Sequence, residues 1–179
     1  MNQIIKEKKD FLSNGDFTKK EIVNLIELAL KLKNKQTSLN IGNKVLGLVF
    51  DKASTRTRVS FQVAMTRLGG ITIDLNPGTT QIGRGEPIKD TARVLSKYCD
   101  VLAIRTFNHS DLKEYAKWAS IPVINALTDL EHPCQALADF LTMKEEFGDF
   151  NNINLTFIGD GNNVANSLII CGAILGAKI

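Results

Sequence analysis

Apolar positions along this chain follow two alternating periods, one of helices and one of buried strands. Thr18 and Glu21 form a capping-box pair, and Ile22, Leu25, Ile26, Ala29 and Leu32 then repeat at the spacing of an amphipathic outer helix. The apolar run Val45 to Phe50 reads as a fully buried strand, and Ile71 to Leu75, Val101 to Ile104 and Pro122 to Ala126 read as further strands. Between them lie predicted helices: Ser54 to Leu68, closed by Gly69-Gly70; Pro87 to Tyr98; Asp111 to Ala119; and, after the last strand, Pro133 to Phe147. This rhythm predicts βαβ crossovers. The expected fold is α/β, a parallel sheet flanked by helices, with ligands gathering beyond the carboxyl ends of the strands.

A break falls near Gly148, where a polar link, DFNNIN, leads to a predicted strand, Leu155 to Ile158, and a helix, Asn163 to Gly176. Residues 1–148 are therefore expected to form one domain and 149–179 the beginning of a second, Rossmann-like αβ domain. A lone strand and helix cannot bury their apolar faces, so residues 150–179 are expected to be poorly ordered without the rest of that domain.

Composition narrows the class. The chain has 179 residues, 44% of them apolar and 23% charged, enough for a proper core. A net charge of +3 comes from scattered lysines, including KEKK at 6–9, read as a solvated face; there is no basic stripe interleaved with aromatics, so no nucleic-acid partner is expected. Cys99, Cys134 and Cys171 lie far apart without metal-ligand spacing, which argues against a zinc site or a disulfide framework and for a reducing compartment. No leader-type segment and no run of about 18 apolar residues is present, so no membrane is expected and the cytoplasm is the default.

The chemistry concentrates in the loops after the strands. ASTRTRVSF, 53–61, leaves the first strand and opens a helix, whose N–H groups and dipole favour an anion. Ser54, Thr55 and Thr57 add hydroxyls, and Arg56 offers a planar fork to phosphate oxygens. Ser54 as a plain cap with solvent-facing arginines is the alternative. There is no GxxxxGK[ST] motif to suggest a P-loop. Arg105 directly follows the third strand and is aimed at the same crevice, unless it serves as a surface ion pair. His132 precedes a proline-started helix whose first turn holds Gln135, an amide with both donor and acceptor; a purely structural histidine is the alternative. His109 reads as part of a helix cap. Cys134 sits on a helix that needs an apolar face and has no base beside it, so covalent catalysis is not expected and direct displacement is left. FIGDGNN resembles a dinucleotide fingerprint, but Val164 stands where its third glycine belongs, which argues against NAD.

Taken together, STRTR at 54–58, QIGRGEPIKDTARVLSKY at 81–98, IRTF at 104–107, NALTDLEHPCQALADFLT at 125–142 and GDGNN at 159–163 make the chain resemble the transcarbamoylases, and within them the ornithine carbamoyltransferases, because HPCQ occurs with GRGEP. The resemblance covers essentially the whole chain. It implies that Ser54, Thr55, Arg56 and Thr57 would grip the phosphate of carbamoyl phosphate and that Arg105 would bridge phosphate and carbonyl oxygen. His132, Arg105 and Thr57 would donate to the carbamoyl oxygen, Gln135 would hold the carbamoyl amine, and Pro133 and Cys134 would line the same substrate site. Arg56, Arg105 and His132 would be the catalytic residues.

The resemblance further implies that Asn163 would meet L-ornithine and that Gln81 would reach a neighbouring subunit's site in a homotrimer. Glu86 would orient an arginine, with plain capping as its alternative. No metal and no organic cofactor would be needed, and the products would be L-citrulline and phosphate, a step of arginine biosynthesis. The alternatives are a carbamoyl-phosphate-binding fragment or regulatory module without turnover, and a sibling enzyme with another amino-acid acceptor. The family's later ornithine-binding motifs are absent from these residues, so the chain alone is expected to keep a carbamoyl-phosphate pocket at best.

Overall fold

Four parallel strands in the order β2-β1-β3-β4 carry the fold: β1, Val45–Phe50; β2, Ile71–Leu75; β3, Val101–Arg105; and β4, Val123–Leu127. The computed structural model describes residues 8–179 except 77 and 79. The helices are α1, Lys19–Lys33; α2, Arg56–Arg67; α3, Ile88–Leu95; α4, His109–Trp118; α5, Pro133–Phe147; and α6, Asn163–Leu175. The chain leaves β1 in one direction to make β2 and crosses back over β1 to make β3. The switch point of the sheet, where parallel α/β folds hold ligands, therefore lies between the carboxyl ends of β1 and β3.

Side-chain alternation sorts the two faces. Val49, Leu102, Ile104 and Val123 point to α3 and α4, where they pack with Ala92, Leu112 and Tyr115. Leu46, Leu48, Phe50 and Ala103 point the other way, to Met65 of α2 and Ala126. Since Ala103 faces α2, Arg105 two residues on must emerge on that same face. A third cluster joins Ile22 and Ile26 of α1 to Ala136 and Phe140 of α5 and Leu168, Cys171 and Leu175 of α6.

Most predicted elements are present with ends shifted by one to three residues, and several expectations change. Helix α2 starts at Arg56, two residues after Ser54; α3 stops at Leu95, short of Tyr98; and α4 begins at His109. Leu155 to Ile158 forms no ladder: only an isolated parallel bridge, Asn154 to Lys178, marks that segment. Helix α6 does bury an apolar face, against α1 and α5, so the expectation that it could find no cover is corrected. Of the basic run at 6–9, residues 6 and 7 lie outside the described residues. Lys8 donates to Asp10 and to the Ala116 carbonyl, while Lys9 pairs with Glu21 and lies over the Phe17 ring, so this end of the run is engaged rather than merely solvated. No helix among the described residues is long and apolar enough to cross a membrane.

Candidate active site

At the switch point an open cleft of about 880 Å³ is walled by α2 on one side and α5 on the other, with the ends of β3 and β4 as its floor. Ser54, Thr55, Arg56 and Thr57 enter it from the loop after β1, Arg105 and Leu127 from the strand ends, and His132, Cys134 and Gln135 from the start of α5. The expected residues from three separate loops thus share one cavity.

The α2 end of the cleft is built for an anion. Thr55 occupies the N-cap position but makes no side-chain cap, so the first-turn N–H groups keep their capacity to donate. Ser54 as a plain helix cap is therefore not the arrangement found. Arg56 lines the cleft, whereas Arg58 turns away to pair with Asp74 of β2 and to lie over the Phe50 ring. The guanidinium of Arg105 donates from Nη1 to Thr57 Oγ1 at 3.4 Å, and its Nε is buried with no partner among the described residues. A buried donor held without an acceptor costs roughly 1–3 kcal/mol, which an incoming oxygen would recover. Desolvation also pulls the Arg105 pKa below its ordinary value, as expected for a cation that its own fold leaves unneutralised.

His132 occupies the N-cap of α5, with its own N–H donating to Ser167 Oγ of α6 at 2.8 Å. Its Nδ1 is buried with no partner among the described residues, and burial, followed by the Arg105 charge, lowers its pKa to about 4. The ring is therefore neutral at pH 7: one nitrogen carries a proton to donate and the other an open lone pair. Cys134 donates from Sγ to the Asn125 carbonyl, and burial raises its thiol to about 12, so it holds no thiolate near neutrality. Gln135 donates from Nε2 to Asp139 Oδ1 at 2.9 Å.

Not every expected residue reaches this cavity. Pro133, the first residue of α5, is buried, with its carbonyl accepting from Asn14 Nδ2 at 3.4 Å, and does not line the cleft. Gln81 begins a 3₁₀ turn, Gln81–Arg84, outside it. Asn163 is also outside, donating from Nδ2 to the Thr128 carbonyl at 2.7 Å beside the cleft-lining Val164. Glu86 accepts from Thr91 Oγ1 at 2.9 Å across the start of α3, a contact between side chains and not a cap on the helix N–H groups. His109 stands 3.0 Å from Thr128 Oγ1 through Nδ1, a structural contact as expected. Conversely, Ser60, Phe61 and Ala64 line the cleft unanticipated. With Thr57 they repeat at i, i+3, i+4 and i+7, so the helical period counted from Thr57 would have found them.

Residues 9–145 match the aspartate/ornithine carbamoyltransferase, carbamoyl-P binding domain family. The ornithine carbamoyltransferase of Prochlorococcus marinus (strain MIT 9312) is 74% identical over 170 residues, which are 95% of this chain and 55% of that protein. The crystal structure of ornithine carbamoyltransferase from Gloeobacter violaceus superposes with a TM-score of 0.88 at 52% identity, covering 96% of this chain and 57% of that one. The enzyme of Thermus thermophilus superposes with a TM-score of 0.90 at 40% identity, covering 94% and 59%. The chain spans about half the length of the curated relatives it matches. The order of the sheet, the cleft at its switch point and these likenesses agree that the chain belongs to the aspartate/ornithine carbamoyltransferase family.

Proposed function

We propose that the full-length protein transfers the carbamoyl group of carbamoyl phosphate to the δ-amine of L-ornithine, giving L-citrulline and phosphate. One observation carries the reading: uncapped helix N–H groups, Arg56, and Arg105 beside Thr57 converge with a neutral His132 in one cleft. The first three suit a phosphate dianion. Arg105, Thr57 and His132 suit the carbonyl oxygen, where negative charge grows as the amine nitrogen bonds to carbon, a role in which one donor is worth roughly 3–4 kcal/mol. The carbon–oxygen bond to phosphate then breaks, and the surplus amine proton leaves with phosphate. No side chain becomes covalently attached, in keeping with a Cys134 thiol that stays protonated. Holding amine and carbamoyl carbon together contributes about 7–11 kcal/mol more.

In this reading residues 1–148 form the carbamoyl-phosphate domain and 149–179 begin the amino-acid domain, with Asn163 facing ornithine; the family match ending at residue 145 and the end of α5 at Phe147 support that division. Gln81, exposed and outside its own cleft, serves a neighbouring subunit in a cytoplasmic homotrimer of arginine biosynthesis. The test is calorimetry with inorganic phosphate and carbamoyl phosphate on wild type and Arg56→Ala, alongside a carbamoylation assay of the full-length protein offered ornithine and aspartate. Strong loss of phosphate affinity in the variant and citrulline as the product are expected. Unchanged affinity would remove the phosphate grip, and carbamoylated aspartate would reassign the acceptor.

A further inference from the structure

Around the cleft, polar groups differ in how freely they can change roles. Guanidiniums only donate, and hydroxyls rotate to donate or accept. Gln135 could present either end of its amide, but its neighbour removes the choice. Gln135 and Asp139 stand four residues apart on α5, one above the other on the same helix face, with Nε2 of Gln135 2.9 Å from Asp139 Oδ1. An ionised carboxylate only accepts, so the amide nitrogen must face Asp139 and the carbonyl oxygen is left for the cleft. Burial pushes the Asp139 carboxyl up and the Gln135 N–H draws it back down, so the contact favours the ionised, accepting form.

We propose that Asp139 is a positioning residue that locks the Gln135 amide with Oε1 toward the cleft, making that wall select a ligand that carries an N–H donor, a carbamoyl rather than an acyl group. This rests on the carbamoyl-transfer reading, and it adds how the site tells a carbamoyl from an acetyl group of nearly equal size. The cations and helix N–H groups at the α2 end only donate, so they suit the phosphate and the carbonyl oxygen, which both ligands share. A Gln–Asp pair at i, i+4 also stabilises a helix slightly, and that role alone would leave ligand choice untouched.

The experiment uses two phosphonates of nearly the same shape, phosphonoacetamide and its methyl-ketone counterpart acetonylphosphonate, with inorganic phosphate as control, titrated calorimetrically into the full-length protein. Wild type is expected to prefer the amide by about tenfold, the worth of one hydrogen bond. In Asp139→Asn the partner can donate or accept, the Gln135 amide is free to turn, and the preference is expected to fall to about twofold while phosphate affinity stays within about twofold. Gln135→Met, which has no amide to turn, should abolish the preference and decides the matter if Asp139→Asn does not fold. A tenfold preference that survives in either variant overturns the proposal. A wild type that binds phosphate but shows no preference also overturns it and leaves the anion site standing; one that fails to bind phosphate brings down the carbamoyl-transfer reading as well.

Discussion

Arg105 at the end of β3 donates through Nη1 to Thr57 Oγ1 in the first turn of α2, at 3.4 Å, and so ties the two sides of the sheet's switch point together. The link is long enough to yield to a ligand, since a phosphate oxygen between them would accept from both. Register holds the pair in place: Arg105 is opposite Phe50, and the N–H of Asp51 donates to the Arg105 carbonyl at 2.8 Å. Thr57→Val keeps the branched shape and removes the hydroxyl. Phosphate affinity is expected to weaken about fivefold, corresponding to about 1 kcal/mol, with the melting temperature nearly unchanged. Calorimetric titration checks this, and equal affinity would mean that Thr57 merely packs.

The low pKa of His132 has a signed consequence for stability. In the folded chain it protonates near pH 4, against the ordinary value of 6.5. Between these values the unfolded chain binds a proton that the folded chain refuses, so stability falls as pH is lowered from 6.5 to 4. Because the ring is partly open to the cleft, screening trims the effect to about 1–2 kcal/mol. Burial lowers His109 too, in the same sense, whereas burial raises Asp51, Glu131 and Asp139 and tilts the curve the other way. The readout is therefore the difference between wild type and His132→Gln. The variant should lose less stability than wild type over pH 6.5 to 4 in urea melts, and parallel curves would show that His132 titrates normally.

Helix α6 holds the loop that carries His132. Asn163 and Asn166 donate to the carbonyls of Thr128 and Leu130, and the fully buried Ser167 accepts from the His132 N–H at 2.8 Å. Ser167→Ala leaves that N–H without an acceptor, at a cost of about 1–3 kcal/mol, and loosens the ring. Turnover of the full-length protein is expected to drop several-fold, more than its KM for carbamoyl phosphate rises. A KM change alone would place Ser167 in ligand binding and not in support of His132.

What the chain disclosed in advance followed local pattern closely. Arg105 was legible because it directly follows an apolar strand at the carboxyl edge of a parallel sheet, and His132 because a proline fixes the start of α5. Less legible was anything decided by neighbours distant in sequence. Pro133 shares a motif with three cleft residues, yet it is buried outside the cleft, with its carbonyl accepting from Asn14. Leu155 to Ile158 has the length and apolarity of a strand, but a strand exists only through a hydrogen-bonded partner, and just Lys178 bridges to this segment. Asp139 lies within a quoted motif, and only the i, i+4 contact reveals what it does to Gln135.

Phe140 separates what stabilises α5 from what α5 displays. Ala136 and Phe140, four residues apart, are fully buried toward α1 and α6, while Gln135 and Ala138 face the cleft from another side of the same helix. The Phe140 ring meets Phe150 edge-on at 6.0 Å, and it stands so close to Gly172 of α6 that a Cβ there would lie 3.1 Å from Cζ. Phe140→Ala removes a whole ring from this three-helix junction, and relaxation cannot refill the space while two helices hold its walls apart. A loss of about 3–5 kcal/mol is expected, read as a lower urea midpoint with an unchanged slope. Where the variant remains folded, at low temperature and without denaturant, phosphate affinity should stay within about twofold of wild type, because Phe140 is buried toward α1 and α6 and does not line the cleft. A folded variant with strongly weakened phosphate binding would show that the junction sets the position of α5 across the cleft, and that the two faces of this helix are mechanically coupled.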